Sequence, residues 1–172
     1  MRHTFSLYVL RTQALGEVIK AITALPSDQT IVTLPPAPLL ELVAASLRRN
    51  VTGVWLGLAG MLIGQLNPPS TTTGVLKTFP TPETRSFVAR VLPSLVDPVM
   101  RVLNSPAALA SEPDVAQAFF RFLEQTARNF VWAFFELSTP TFNAAMQCAI
   151  GALGLQEKYS LVAACNFLVR GA

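Results

Sequence analysis

Apolar positions recur along this chain at helical spacing, and no alternating apolar/polar run is long enough to predict a strand. The pattern predicts about eight helices with joints marked by proline, serine and threonine. Thr12 to Leu25 carries one stripe, Leu15, Val18, Ile19 and Ile22, and Pro26 ends it. A linker follows, Ser27 to Pro36, whose β-branched run Thr30 to Thr33 favours an extended chain. Pro38 to Arg49 reads as a second helix with Leu39, Leu42, Val43 and Leu47 on one side. Val51 to Leu66 is a third, apolar nearly all round, and Asn67-Pro68-Pro69 stops it. The stretch 67–80, with Ser70-Thr71-Thr72-Thr73-Gly74, reads as a flexible loop.

Thr81-Pro82-Glu83 predicts a helix start, with Thr81 as N-cap and Pro82 in the first turn. The stripe behind it is Val88, Val91, Leu92, Leu95, Val99 and Leu103, and Pro93 and Pro98 predict a kink or a break. Ser111-Glu112-Pro113-Asp114 resembles a capping box with Asp114 in the acidic place. The helix after it has the cleanest stripe in the chain: Val115, Phe119, Phe122, Leu123, Thr126 and Phe130. Val131 to Leu137 continues it or forms a short helix of its own. Thr139-Pro140 predicts another start, with Phe142, Ala145, Met146, Ala149 and Leu153 on one face and an end near Gly154. In the last helix, Glu157 to Arg170, Leu161, Ala164, Cys165 and Leu168 share a face, with Val162, Phe167 and Val169 elsewhere. Several helices are apolar on more than one face, as stacked helix pairs require.

Composition sharpens this reading. Of 172 residues, 51% are apolar and 13% charged, about half the charge of an ordinary soluble domain. A disordered chain is excluded. What remains is a deeply buried domain, a membrane protein, or a slice of a larger core. Val51 to Leu66 carries the membrane alternative, since it has no charge and holds Gly53-xxx-Gly57 and Gly60-xxx-Gly64. Its 16 residues fall short of the ~20 that a bilayer core asks for. Close packing of soluble helices explains the glycines equally well. An unrelated helical scaffold is the other alternative.

Candidate chemistry is sparse. The net charge of +3 comes from scattered basic residues, Arg48-Arg49 being the one adjacent pair, so no stripe for nucleic acid is visible. The lone histidine, His3, gives a Ser-His or Cys-His mechanism little to work with. Cys148 and Cys165 read as free buried thiols, with no disulfide framework or zinc spacing. Residues 1–11 lack the long apolar core of a signal peptide, so Asn50-Val51-Thr52 reads as a chance glycosylation match. No catalytic, cofactor or metal-binding residue is assigned. The aromatic group Phe119, Phe120, Phe122, Phe130, Trp132, Phe134 and Phe135 reads as core at Phe119, Phe122 and Phe130. Phe120, Trp132 and Phe135 stay open between core and a partner-binding groove.

Five stretches resemble the importin-13 / transportin-3 branch of the β-karyopherins, in the fungal form. They are Ile22 to Asp28 (ITALPSD), Leu34 to Leu42 (LPPAPLLEL), Glu112 to Phe120 (EPDVAQAFF), Met146 to Leu153 (MQCAIGAL) and Leu155 to Cys165 (LQEKYSLVAAC). The resemblance runs from about Thr12 to Leu168 and is closest to the C-terminal third of that family. It implies a HEAT-like (armadillo-like) α-α superhelix and a nuclear transport receptor that shuttles between nucleus and cytoplasm. The implied partners are protein cargo and phenylalanine-glycine nucleoporins, with Ran bound through repeats absent here. No cofactor, nucleic acid, membrane or enzymatic activity is implied. Residues 1–11 fall outside the resemblance and Ala172 lies within what would be a repeat, so the chain is expected to be a segment of a longer receptor. The net charge departs from the acidic balance of that family.

Overall fold

The computed structural model describes residues 13–22, 34–67 and 80–171. The fold is all-α. Among the described residues it has eight α-helices and one 3-10 turn, with no strand. They are α1 (13–22), α2 (Pro36–Arg49), α3 (Gly53–Leu66), α4 (Pro82–Val102), α5 (Pro106–Ser111), α6 (Pro113–Phe130), the 3-10 turn Val131–Phe134, α7 (Thr139–Ala152) and α8 (Lys158–Gly171). The sequence readings for 1–11, for Thr30 to Thr33 and for Ser70 to Gly74 lie outside the described residues, as does the end of the first helix beyond residue 22.

The helices form two rows. α6 packs most extensively against α3 on one side and α8 on the other, while α4 packs against α2 and α7. Cross-links between neighbours keep their order along each row. Arg90 of α4 donates to Glu41 of α2 at 2.9 Å, and Arg48 of α2 donates to Ser94 of α4 at 2.7 Å. Thr141 donates to Asp97 at 3.0 Å, and Cys148 Sγ lies 3.8 Å from the Leu103 carbonyl. Ser160 donates to the Pro113 carbonyl at 3.0 Å, and Arg170 meets Glu124 at 2.9 Å. Asn67 donates to the Asn129 carbonyl at 3.3 Å, while Gly53 approaches Asp114. In every pair of links, the residue further along one helix meets the residue further along its neighbour. Helices within a row, α2–α4–α7 and α3–α6–α8, therefore run parallel. Short joints connect the rows: three residues turn α2 into α3, and residues 153–157 turn α7 into α8.

α6 is the central element. Its buried residues include Val115, Phe119, Phe122, Leu123, Thr126 and Phe130, the predicted stripe, and also Ala116, Phe120 and Ala127. That is wider than the roughly 100° stripe of a one-sided helix, because two row neighbours cover it. Thr126 is buried at no polar cost, since its hydroxyl donates to the Phe122 carbonyl at 2.9 Å.

Several local expectations change. α4 runs unbroken from Pro82 to Val102 through Pro93 and Pro98. Each proline removes one helical hydrogen bond, and burial of Val91, Leu92, Leu95, Val96 and Val99 along the same helix outweighs that loss. Thr81 does cap it, accepting from the Thr84 N–H. The capping box at Ser111 to Asp114 is not formed. Ser111 ends α5, donating to the Ala108 carbonyl, and Glu112 is the N-cap of α6 without a side-chain cap bond. α5 is a helix the sequence pattern missed, and Ser105 caps it. The α7 cap is Ser138, one residue before the predicted Thr139, accepting from the Thr141 N–H at 3.3 Å. Ser138→Ala should cost about 1 kcal/mol, read as a lowered midpoint in urea unfolding.

Two stripes, those of α1 and α8, are rotated from their predicted phase, while that of α7 departs only at its end. α1 turns Gly16 and Ile19 inward and leaves Leu15, Val18 and Ile22 exposed. Gly16 decides this, because a Cβ there would come within 2.7 Å of Val54 Cγ1 and 3.6 Å of the Trp55 ring. α7 buries Ala145, Cys148, Ala149 and Ala152 and packs Phe142 and Met146 against the core, leaving only Leu153 of its predicted face exposed. α8 buries Ser160, Ala163, Ala164 and Phe167, with Val162 and Val169 exposed. Cys165 is exposed and not the buried thiol expected, because α8 is oriented by its Ser160 and Arg170 links to α6.

Candidate groove between α3 and α6

α3 holds Gly53, Gly57, Gly60 and Gly64 at helical spacing, so one side of the helix has no side chains. Two of these glycines set the distance to α6. A Cβ on Gly53 would lie 3.1 Å from the Asp114 carbonyl oxygen, and one on Gly60 would lie 3.7 Å from Phe122 Cα. The other two face open space. Gly57 meets Lys20 Nζ at 4.0 Å, and Gly64 meets nothing within 4 Å. The glycine pattern read as a membrane-helix signal thus marks close packing between row neighbours. No helix among the described residues is long and apolar enough to cross a membrane.

The open glycines floor a cavity of about 690 Å³, inside the ~300–1,000 Å³ of ligand clefts. α6 contributes Gln117, Arg121 and Gln125, spaced i, i+4, i+8, beside Ala118 and Phe122, and Lys20 of α1 also lines it. Among the described residues, the side chains of Gln117, Arg121 and Gln125 have no hydrogen-bond or ion-pair partner. Lys20 is held loosely, 3.8 Å from Glu17 on its own helix. Among the described residues the lining contains two cations and no carboxylate. An adjoining cavity of about 440 Å³ shares Lys20, Gly53 and Ala118 and is acidic, lined by Glu17, Glu112 and Asp114. Thr52 lines it too, and Thr52 Oγ1 is buried without a partner.

The aromatic group divides cleanly. Phe120 joins Phe119, Phe122 and Phe130 in full burial, with its ring 5.8 Å from that of Phe119. Phe134 packs on Phe167 at 5.8 Å. Trp132 is half-buried edge-on against Phe130, with the Arg85 guanidinium 4.8 Å from its ring centre. Phe135 alone of the seven is exposed, at 80%. Phe119, Phe120, Phe122, Phe130 and Phe134 therefore form core, Trp132 lies at its edge and Phe135 outside it, and the groove lies on another flank of α6.

Chemistry at the thiols is limited. Burial pushes the Cys148 thiol up to about 11, so it stays protonated at neutral pH. No group of three or more metal-ligand side chains is found among the described residues. Glu157 behaves as a cap. Hydrogen bonding from Ser160 and from the Tyr159 N–H holds its carboxyl below the usual 4.5. A lowered folded value stabilises above the unfolded pKa and loses that stabilisation as pH falls through the folded one. The start of α8 should therefore loosen below pH 4.5, and Glu157→Gln should flatten that acid-side fall in a melting series.

Comparison with known proteins adds no relative: no family model, no curated protein and no solved structure matches this chain.

Proposed function

We propose that this chain is part of a HEAT-like α-α superhelix and works as a protein-binding segment of a nuclear transport receptor. The observation that carries the array reading is the pair of parallel rows, α2–α4–α7 and α3–α6–α8, crossed by antiparallel joints. Such rows extend by adding pairs, each covering its neighbour. The transport reading rests on the resemblance of the five stretches to the importin-13 / transportin-3 branch. Under it the partners are protein cargo and phenylalanine-glycine nucleoporins, and the receptor moves between nucleus and cytoplasm. Recognition of protein surfaces needs no cofactor.

The test is retention of the chain on immobilised phenylalanine-glycine nucleoporin fragments. Retention that vanishes when serine replaces the phenylalanines supports the proposal. Equal retention on both, or on neither, favours a helical scaffold unconnected with nuclear pores.

A further inference from the structure

We infer that the groove between α3 and α6 binds an extended polypeptide segment carrying one acidic side chain. The inference deepens the protein-binding part of the proposed function and is independent of nuclear transport.

Three observations converge on that occupant. The first is spacing. Gln117, Arg121 and Gln125 repeat every four residues on α6, about 6 Å along the helix. An extended chain repeats every two residues, about 6.6 Å. Three successive rungs therefore meet alternate residues of a bound segment with little drift. The second is hydrogen-bonding capacity. Each glutamine amide has both donors and an acceptor, and neither side chain is engaged among the described residues. Extended main chain presents N–H and C=O groups that need such partners. The bare floor at Gly57 and Gly64 lets that main chain come close, as side chains there would not.

The third is charge. The rung between the two glutamines is Arg121, exposed and unpaired among the described residues, and Lys20 lines the same cavity, with no described carboxylate in the lining. Acidic Glu112 and Asp114 crowd the adjoining mouth. Arg121 is seven residues beyond Asp114, about 10 Å along the helix. An acidic side chain is thus repelled at the mouth and attracted in the middle, which sets the register of the segment.

Selection of short random peptides, displayed on phage, against the immobilised 172-residue chain tests this. Enriched peptides should share an acidic residue at one fixed position. Arg121→Glu, an exposed change, should switch the preference at that position from acidic to basic. Gly64→Leu should fill the groove and weaken the enriched peptides about tenfold, the worth of about one hydrogen bond to the displaced main chain. Its melting temperature should not fall below the parent's, since nothing opposes a side chain there. Arg101→Glu, the same charge change on α4 outside the groove, should leave binding unaltered. No enrichment, no acidic position, or full binding to both Arg121→Glu and Gly64→Leu would overturn the inference. Loss of nucleoporin binding would leave it standing.

Discussion

Replacing Phe120 by alanine is expected to destabilise the fold by about 3–5 kcal/mol, the range for a buried aromatic cut back to a methyl group. Phe120 is fully buried, tilted against Phe119 in the helix that both row neighbours cover. The rigid helices on either side leave little room for collapse into the space a phenyl ring vacates. At roughly 2–4 °C per kcal/mol for a chain of this size, the thermal midpoint should fall by about 6–20 °C. Such a loss is a large part of the ~5–15 kcal/mol that holds an ordinary domain together. Phe135→Ala is the control. That ring is 80% exposed, and its removal should stay within about 0.5 kcal/mol. Equal melting of the two variants would contradict the placement of α6 between two neighbours.

Self-association of the isolated chain is the second large effect expected. α8, the last helix of the α3 row, and α1, which meets α3 at Gly16, leave apolar side chains open. α8 exposes Tyr159, Val162 and, at 81%, Val169, while α1 exposes Leu15, Val18 and Ile22. α7 adds Ile150 and Leu153. Stacked arrays normally close their ends with polar faces, and contiguous exposed apolar surface promotes association. Val162 and Val169 are near one side of α8, so both changed to lysine would place two like charges on it. Fully burying a valine is worth about 1.5–3 kcal/mol, so the double variant should weaken association at least about tenfold. Light scattering against concentration reads this directly. A parent chain that stays monomeric throughout the series would refute the expectation.

The parts of the fold legible in the sequence are those where large apolar and charged residues separate around a helix. α6 is the clear case. Phenylalanines fill its inner stripe, and Arg121, Glu124 and Arg128 occupy other positions. α8 is the opposite case. Leu161, Val162, Ala163, Ala164, Cys165, Phe167, Leu168 and Val169 fit several phases, and contacts with α6 choose among them. On α1 the choice falls to Gly16, a residue that carries no hydropathy signal of its own. α5 has six residues, too few for a periodic pattern, so its Ser105 cap was the one local cue. The prolines in α4 show tertiary burial overriding local propensity.

The groove was legible in halves. The glycine spacing of α3 stands out in the sequence, but it fits membrane helices and close-packed soluble helices alike. Gln117, Arg121 and Gln125 look like an ordinary solvated face until α3 is placed opposite them. What turns two unremarkable helix faces into a cavity is the parallel pairing of α3 with α6, which is information that neither segment contains.

The central claim is that this array of helix pairs recognises proteins of the nuclear transport machinery. A fluorescently labelled chain added to permeabilised cells tests it most directly. Saturable accumulation at the nuclear rim, displaced by unlabelled chain and by soluble phenylalanine-glycine nucleoporin fragments, is the expected result. A uniform distribution, or rim signal that neither competitor reduces, would contradict it.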